Sequence, residues 1–193
     1  MIPKEKKILK STFSNFSLKK EILKAIKGLG FVSPTPIQEK VIPVLMKSGQ
    51  DLIATAQTGT GKTAAFGLPV LSLTNERNFK TQTLILCPTR ELCIQISKDL
   101  KNYSKFLDNI NIVPVYGGAK IDTQMRALKK GAQVVVGTPG RTKDLIKRRK
   151  LSIDSIDRVI LDEADEMLSM GFKEDLESIL SKTPKEKQTL LFS

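Results

Sequence analysis

The sequence contains no histidine, no tryptophan and only two cysteines. Without an imidazole there can be no Ser-His-Asp or Cys-His catalysis and no histidine metal site. Cys87 and Cys93 lie six positions apart, which is neither a disulfide framework nor a metal-ligand spacing. They read as buried, reduced thiols of a cytosolic protein. No apolar run is long enough to cross a bilayer, and the start Met1-Ile2-Pro3-Lys4-Glu5-Lys6-Lys7 lacks the apolar segment of a secretion signal. A cytoplasmic location with no membrane partner is therefore expected. There is no internal repeat and no low-complexity tract. Chemistry must run on carboxylates, hydroxyls, lysine, backbone amides and a bound ion.

The chain is 193 residues long and 40% hydrophobic, enough for one sizeable core. One domain over residues 13–193 is expected, preceded by a basic, flexible stretch at 1–12. The formal net charge is +12. Such an excess favours polyanions through steering and counterion release, but it equally describes lysine used as a solubiliser. Charge alone leaves these two readings even.

Short runs rich in Val, Ile and Leu recur at 51–55, 83–87, 112–116, 133–136, 158–161 and 189–192. Continuous apolar character suits strands buried on both faces. Helical patterns fill the gaps at 18–27, 38–47, 62–73, 90–107, 122–130, 141–149, 165–170 and 173–180. Pro43 and Pro69 conflict with two of these helices and are expected to kink or end them. The alternation predicts an α/β fold, a parallel doubly wound sheet with helices on both faces. Ligands of such sheets bind beyond the carboxyl ends of the strands. The Gly-, Pro- and charge-bearing strings all follow strands, so they should line one rim.

The first of these strings is Ala56-Gln57-Thr58-Gly59-Thr60-Gly61-Lys62-Thr63, set between a strand and a helix. Glycines 59 and 61 let successive N–H groups turn toward an anion, and the following helix adds its dipole. Lys62 can reach the terminal phosphates and the Thr63 hydroxyl can ligate Mg2+. A general phosphate loop begins with glycine, where this one has Ala56. After the strand at 158–161 come Asp162, to hold Mg2+, and Glu163, to orient and deprotonate an attacking water. An acidic first helical turn would also explain Asp162, Glu163 and Asp165 on their own. Both halves of a magnesium–phosphate site in one chain favour the catalytic reading.

These strings, with those around them, resemble the first RecA-like domain of the DEAD-box RNA helicases, from about Phe13 to Ser193. Gly30-Phe31-Val32-Ser33-Pro34-Thr35-Pro36-Ile37-Gln38 is similar to the Q motif, with Phe13 as its upstream aromatic. Ala56–Thr63 resembles motif I, where alanine is the family's habit. Pro88-Thr89-Arg90-Glu91-Leu92 resembles motif Ia. Gly117-Gly118 and Thr138-Pro139-Gly140-Arg141 resemble two further RNA-contacting elements, and Asp162-Glu163-Ala164-Asp165 spells the family's eponym. The resemblance implies ATP and Mg2+ as cofactors, with Phe13, Phe31, Thr35 and Gln38 serving the adenine. Gln38 has an amide that both donates and accepts, and Phe31 a ring that can stack. Without the resemblance, Thr35-Pro36 reads as a helix start and Gln38 as an exposed helix residue.

For RNA the resemblance implies backbone contacts, without base reading, from Pro88, Thr89, Arg90, Gly117, Gly118, Thr138, Pro139, Gly140 and Arg141. Helix capping by Thr89 and Thr138 is the plainer reading of those two. Asp165 and Ser193 are implied in coupling to a second RecA-like domain, since Ser193 resembles the start of the Ser-Ala-Thr motif. That domain would supply an arginine finger. The sequence as it stands is therefore expected to bind nucleotide weakly, with little ATPase and no unwinding. Ribosomal or RNA-decay proteins are the further partners the family suggests. An ATP-gated RNA clamp or scaffold and a DNA-directed translocase are the alternative functions. The run Lys147-Arg148-Arg149-Lys150 reads as a solvated helix end and is not assigned to a site.

Overall fold

The computed structural model describes residues 12–47, 49–57 and 59–193. The basic stretch expected to be flexible thus lies outside the described residues but for Thr12, and Thr58 of the phosphate loop lies outside them too. Six strands form one parallel sheet: β1 (Leu52–Ala54), β2 (Thr83–Leu86), β3 (Ile112–Val115), β4 (Val134–Gly137), β5 (Arg158–Leu161) and β6 (Gln188–Phe192). Their order across the sheet is β1-β6-β5-β2-β4-β3. The register sets Leu84 of β2 beside Val135 of β4 and Val159 of β5.

The connecting helices are α1 (Lys20–Gly28), α2 (Pro36–Lys47), α3 (Lys62–Leu73), α4 (Arg90–Tyr103), α5 (Ile121–Lys129), α6 (Pro139–Lys147), α7 (Ala164–Ser169) and α8 (Lys173–Leu180). Side chains alternate across a strand, so each central strand feeds two cores. Ile85, Val134, Val136 and Ile160 join Ile22, Ile42, Phe66 and Leu100 on one face. Leu84, Val135, Val159 and Leu161 join Leu145, Met167 and Ile179 on the other. A short 3-10 turn, Phe13–Phe16, sets Phe13 and Phe16 into the first core.

Burial on both faces holds for β2 and β4, all of whose residues are buried. It fails for the edge strand β1, where Ile53 is 75% exposed, although the other edge strand, β3, is largely buried. Of the two outcomes expected at the prolines, an early end does not occur. α2 runs through Pro43 and α3 through Pro69, and neither helix ends there. An interior proline costs about 3 kcal/mol. Each fully buried Leu, Ile or Val contributes about 1.5–3 kcal/mol, and Ile42, Leu68, Val70 and Leu71 around these prolines are all fully buried. Tertiary burial outweighs the lost hydrogen bonds.

Several helix ends shift as well. α4 stops at Tyr103, short of Leu107, where the Ser104 N–H bonds the Leu100 carbonyl. α6 begins two residues before Arg141, with Pro139 in its first turn, where proline lacks an N–H that would have no partner anyway. If packing alone carries α2 past its proline, Pro43→Ala restores a backbone bond without losing core. Thermal unfolding of this variant should rise by a few degrees. A lower melting temperature would show that the proline ring itself is needed.

Candidate nucleotide site and nucleic-acid rim

The phosphate loop runs from the end of β1 into α3. Its entry is fixed by β6: the Ala56 N–H donates to the Ser193 carbonyl (3.0 Å) and the Ser193 N–H to the Ala54 carbonyl (3.2 Å). Gly59 and Gly61 have φ of 81° and 91°, which side-chain-bearing residues rarely adopt. A Cβ at Gly61 would also collide with the Gln38 amide. The glycine requirement inferred from sequence is therefore both conformational and steric.

Two polar side chains from the start of α2 tie down this loop. Thr35 Oγ1 donates to the Thr60 carbonyl (2.9 Å), and Gln38 Nε2 donates to the Gly61 carbonyl (3.2 Å). Gln38 Oε1 accepts the Thr35 N–H (2.9 Å), which locks the pair. Gln38 is only 3% exposed, so the reading of it as an exposed helix residue is incorrect. Its amide is committed to the loop, with one N–H and one lone pair remaining for a base. Phe13 and Phe31 share the wall of a cleft of about 590 Å³ with Gly30 and Val32. Phe31 is half-buried, its ring 5.9 Å from that of Phe13 and 5.9 Å from that of Tyr103. Phe13 itself is buried in the core and contributes only wall.

Lys62 and Thr63 occupy the first turn of α3, and Lys62 is buried at 9% exposure. Asp162 follows β5, is 3% exposed, and its Oδ1 is buried with no hydrogen-bond partner. Burial pushes its pKa from 3.8 up to about 6; Lys62 opposes that rise and the Glu163 carboxylate adds to it. Among the described residues no cluster of three or more acidic or cysteine ligands could hold a metal alone. Mg2+ in phosphate sites takes one or two carboxylates and completes its shell with water and phosphate. An unsatisfied carboxylate oxygen, a lysine and a hydroxyl at a helix N-terminus fit that ion bound together with a nucleotide.

Glu163 adopts φ 53° and ψ 53°, a left-handed conformation that costs a side-chain-bearing residue about 1–2 kcal/mol. Glu163 occupies the cap position of α7, of which the exposed Asp165 is the second residue. Behind this turn sit the free, buried thiols Cys87 and Cys93. A hydrogen bond with Cys93, and burial, drive the Cys87 pKa upward, which keeps it an unreactive thiol. That agrees with the reading of both cysteines as buried and reduced.

The RNA candidates all follow β2, β3 and β4, which are neighbours in the sheet. The phosphate-loop and Mg2+ candidates follow β1 and β5, in the other half of the sheet, whereas Phe13, Phe31, Thr35 and Gln38 precede β1 in the chain; Ser193, the coupling candidate, follows β6. Thr89 caps α4, its Oγ1 accepting the Leu92 N–H (3.2 Å), and Pro88 is buried beside it. Thr138 occupies the cap position of α6 with no side-chain bond to the helix. Its hydroxyl is not used in capping. The exposed Arg90 guanidinium lies over the Tyr116 ring at 5.2 Å, just before the exposed Gly117 and Gly118. Gly140 is exposed, and Pro139 is buried.

Arg141 differs from the others. Both its terminal nitrogens donate to the Ala119 carbonyl (3.3 and 3.2 Å), and Nη1 also donates to Gln124 Oε1 (3.0 Å). Gln124 in turn donates to the Tyr116 carbonyl (3.0 Å). Arg141 and Gln124 thus clamp the Gly117-Gly118 loop from both ends. Gln124 went unnoticed in the sequence; its one signal is a polar residue on the buried side of α5, in line with Leu128.

A glycine phosphate loop entering α3, opposed by a buried carboxylate at a strand end, defines a P-loop nucleotide-binding domain of RecA type. Residues 35–193 match the DEAD/DEAH box helicase family. An "ATP-dependent RNA helicase CshA" of Listeria monocytogenes is 52% identical over 94% of this chain and 34% of its own length. A "DEAD-box ATP-dependent RNA helicase CshA" of Geobacillus kaustophilus is 50% identical, over 95% of this chain and 39% of its own. The crystal structure of a DEAD box protein from Methanococcus jannaschii superposes with a TM-score of 0.90 at 46% identity, covering 94% of this chain and 49% of that one. The chain belongs to the DEAD/DEAH box helicase family. It spans little more than a third of the length of these two helicases.

Two outcomes follow from this geometry. The gap between 3.8 and about 6 at Asp162 corresponds to roughly 3 kcal/mol. A raised folded-state pKa means no penalty below about pH 4, growing penalty up to about pH 6, and full penalty above. Asp162→Asn should therefore melt higher than the parent at pH 7.5 and lose that advantage at pH 4, by calorimetry in the absence of nucleotide. An advantage independent of pH would contradict the burial argument. Arg141→Ala should accelerate amide exchange at Gly117, Gly118 and Ala119. Arg141→Lys should fail to rescue, since a single ammonium cannot replace the fork.

Proposed function

We propose that this chain is the ATP-binding half of an RNA-dependent ATPase that opens short RNA duplexes or remodels RNA–protein complexes. The observation that carries the reading is the buried, unpartnered oxygen of Asp162 facing Lys62 across the phosphate loop, on the same rim as the RNA candidates. ATP enters with its adenine toward Phe31 and the free edge of the Gln38 amide. Its phosphates lie on the N–H groups of residues 59–63 and on Lys62. Mg2+, held by Asp162 and Thr63, would neutralise charge on the terminal phosphates. Glu163 orients a water in line with the γ-phosphate and takes its proton. Because Gln38 and Thr35 bond the loop itself, base recognition at α2 and phosphate recognition at α3 form one unit.

RNA lies across the exits of β2, β3 and β4, gripped through phosphate and ribose by Arg90, Gly118, Thr138 and Gly140. A second RecA-like domain completes both sites, and Asp165 and Ser193 at the rim couple to it. In that account the chain alone binds ATP or ADP weakly, with very low turnover and no unwinding, because turnover draws on an arginine finger from a second domain. Two buried, unbridged thiols suit the cytoplasm. Ribosomal or RNA-decay assemblies are the partners that would bring in the RNA.

The test uses the full-length protein. Lys62→Ala should lose nucleotide binding. Glu163→Gln should keep ATP and RNA binding while RNA-stimulated ATPase falls by about 10²–10⁴. Hydrolysis that survives both changes, or that DNA stimulates as well as RNA, would overturn the proposal.

A further inference from the structure

Ten lysines and arginines and only two acids fall between Lys120 and Lys150, a local excess of +8 out of +12. This segment is α5, β4 and α6. The N-terminal ends of these helices carry the Gly118 and Thr138 elements of the rim. Their C-terminal ends lie about 13 Å further on, at 1.5 Å per residue. There Arg126, Lys129, Arg149 and Lys150 line one cleft of about 550 Å³, with Met125 on its wall and Asp122 as its single acid. All four cations are exposed, and none has an ion-pair partner among the described residues.

A cation in the last turn of a helix is favoured by the helix dipole, which accounts for Lys129 and Lys147. It does not account for Arg149. α5 and α6 are both nine residues long and end the same way, with the residue two past the helix in the left-handed region. After α5 that residue is Gly131, at φ 92°, its N–H bonded to the Leu128 carbonyl (3.0 Å). After α6 it is Arg149, at φ 55°, its N–H bonded to the Ile146 carbonyl (2.9 Å). Glycine is the favoured residue at this position, and a side chain there is strained. An arginine held in strain, exposed and without an ion partner, in a cleft with three other free cations, indicates a ligand for its side chain.

We propose that this cleft is a second contact for the RNA backbone, taking phosphates of the strand that leaves the rim and passes along α5 and α6. The inference rests on the RNA reading of the rim, and it changes the reading of Lys147–Lys150 from a solvated helix end to part of a site. About 13 Å corresponds to roughly four stacked nucleotides at 3.4 Å each. The cleft therefore acts only on RNA longer than the rim itself covers. Its cations contact phosphate and add affinity without sequence preference.

The experiment compares, in the full-length protein, a single strand of about six nucleotides with the same strand extended by about six at either end. Wild type should bind the extended strand more tightly. Arg126→Gln/Lys129→Gln/Lys150→Gln should keep the short-strand affinity and lose that increment, about tenfold or more near 0.1 M salt, with a log–log salt slope shallower by about 2. Lys98→Gln/Lys101→Gln/Lys182→Gln, with the same change in charge elsewhere on the surface, should behave as wild type. Arg149→Gly should melt no lower than wild type and still lose part of the increment, which separates binding from folding. Equal affinity of wild type for both strands, or a triple variant that keeps the increment, overturns the cleft while leaving the rim intact. A wild type that binds neither strand overturns the rim reading, and the cleft with it. Capture of phosphatidylcholine–phosphatidylserine vesicles through these cations, with no length-dependent RNA effect, assigns the cleft to a membrane and also overturns it.

Discussion

Asp162 is a carboxylate placed where water hardly reaches it, at the end of a strand buried on both faces, with one oxygen bonded to nothing. Such a group weakens the fold unless a positive charge completes it. Lys62 supplies part of that charge. The surrounding structure holds this arrangement in place. β5 lies between β6 and β2 in the middle of the sheet, the phosphate loop is fixed by β6 and by α2, and the left-handed Glu163 turns the chain away immediately afterwards. Strain and an unsatisfied polar atom meet at one point, which is where function is expected to concentrate.

The strand order divides the rim. β1 and β5 end in residues suited to phosphate and cation, with β6 between them bracing the loop through Ser193, and β2, β4 and β3 end in residues suited to a sugar–phosphate chain. β5 and β2 are neighbours, so the boundary between the halves falls where the Asp162 N–H donates to the Leu86 carbonyl, just before Cys87, Pro88 and Thr89. Each half has its own brace: Thr35 and Gln38 for the phosphate loop, Arg141 and Gln124 for the Gly117-Gly118 loop. The braces reach across the chain by hydrogen bonds to backbone carbonyls. Loops that carry several glycines can therefore keep a defined shape.

Much of this was legible in the sequence. Val- and Leu-rich runs ending at glycine, proline or acid placed the six strands, and the order of the strings along the chain named the family that the comparisons show. What was hidden depends on distant neighbours. Ile53 reads like any core isoleucine, yet it is exposed on β1. That α2 and α3 continue past Pro43 and Pro69 could not be read locally, because the burial that carries them comes from other elements. Gln38 looks like an exposed helix residue, although the carbonyl it serves belongs to a loop 23 residues away, and nothing local to Gln124 shows that it serves the Tyr116 carbonyl 8 residues away. Arg149 looks like one of four cations in a row, and only its φ sets it apart.

The central claim is that the nucleotide brings the cation that Asp162 lacks. Calorimetric titration of the chain with ADP, with Mg2+ present and with Mg2+ removed by chelation, tests it most directly. The account predicts binding at least about tenfold tighter with Mg2+, as expected when a buried carboxylate gains a charged partner. Equal affinity under the two conditions would contradict it.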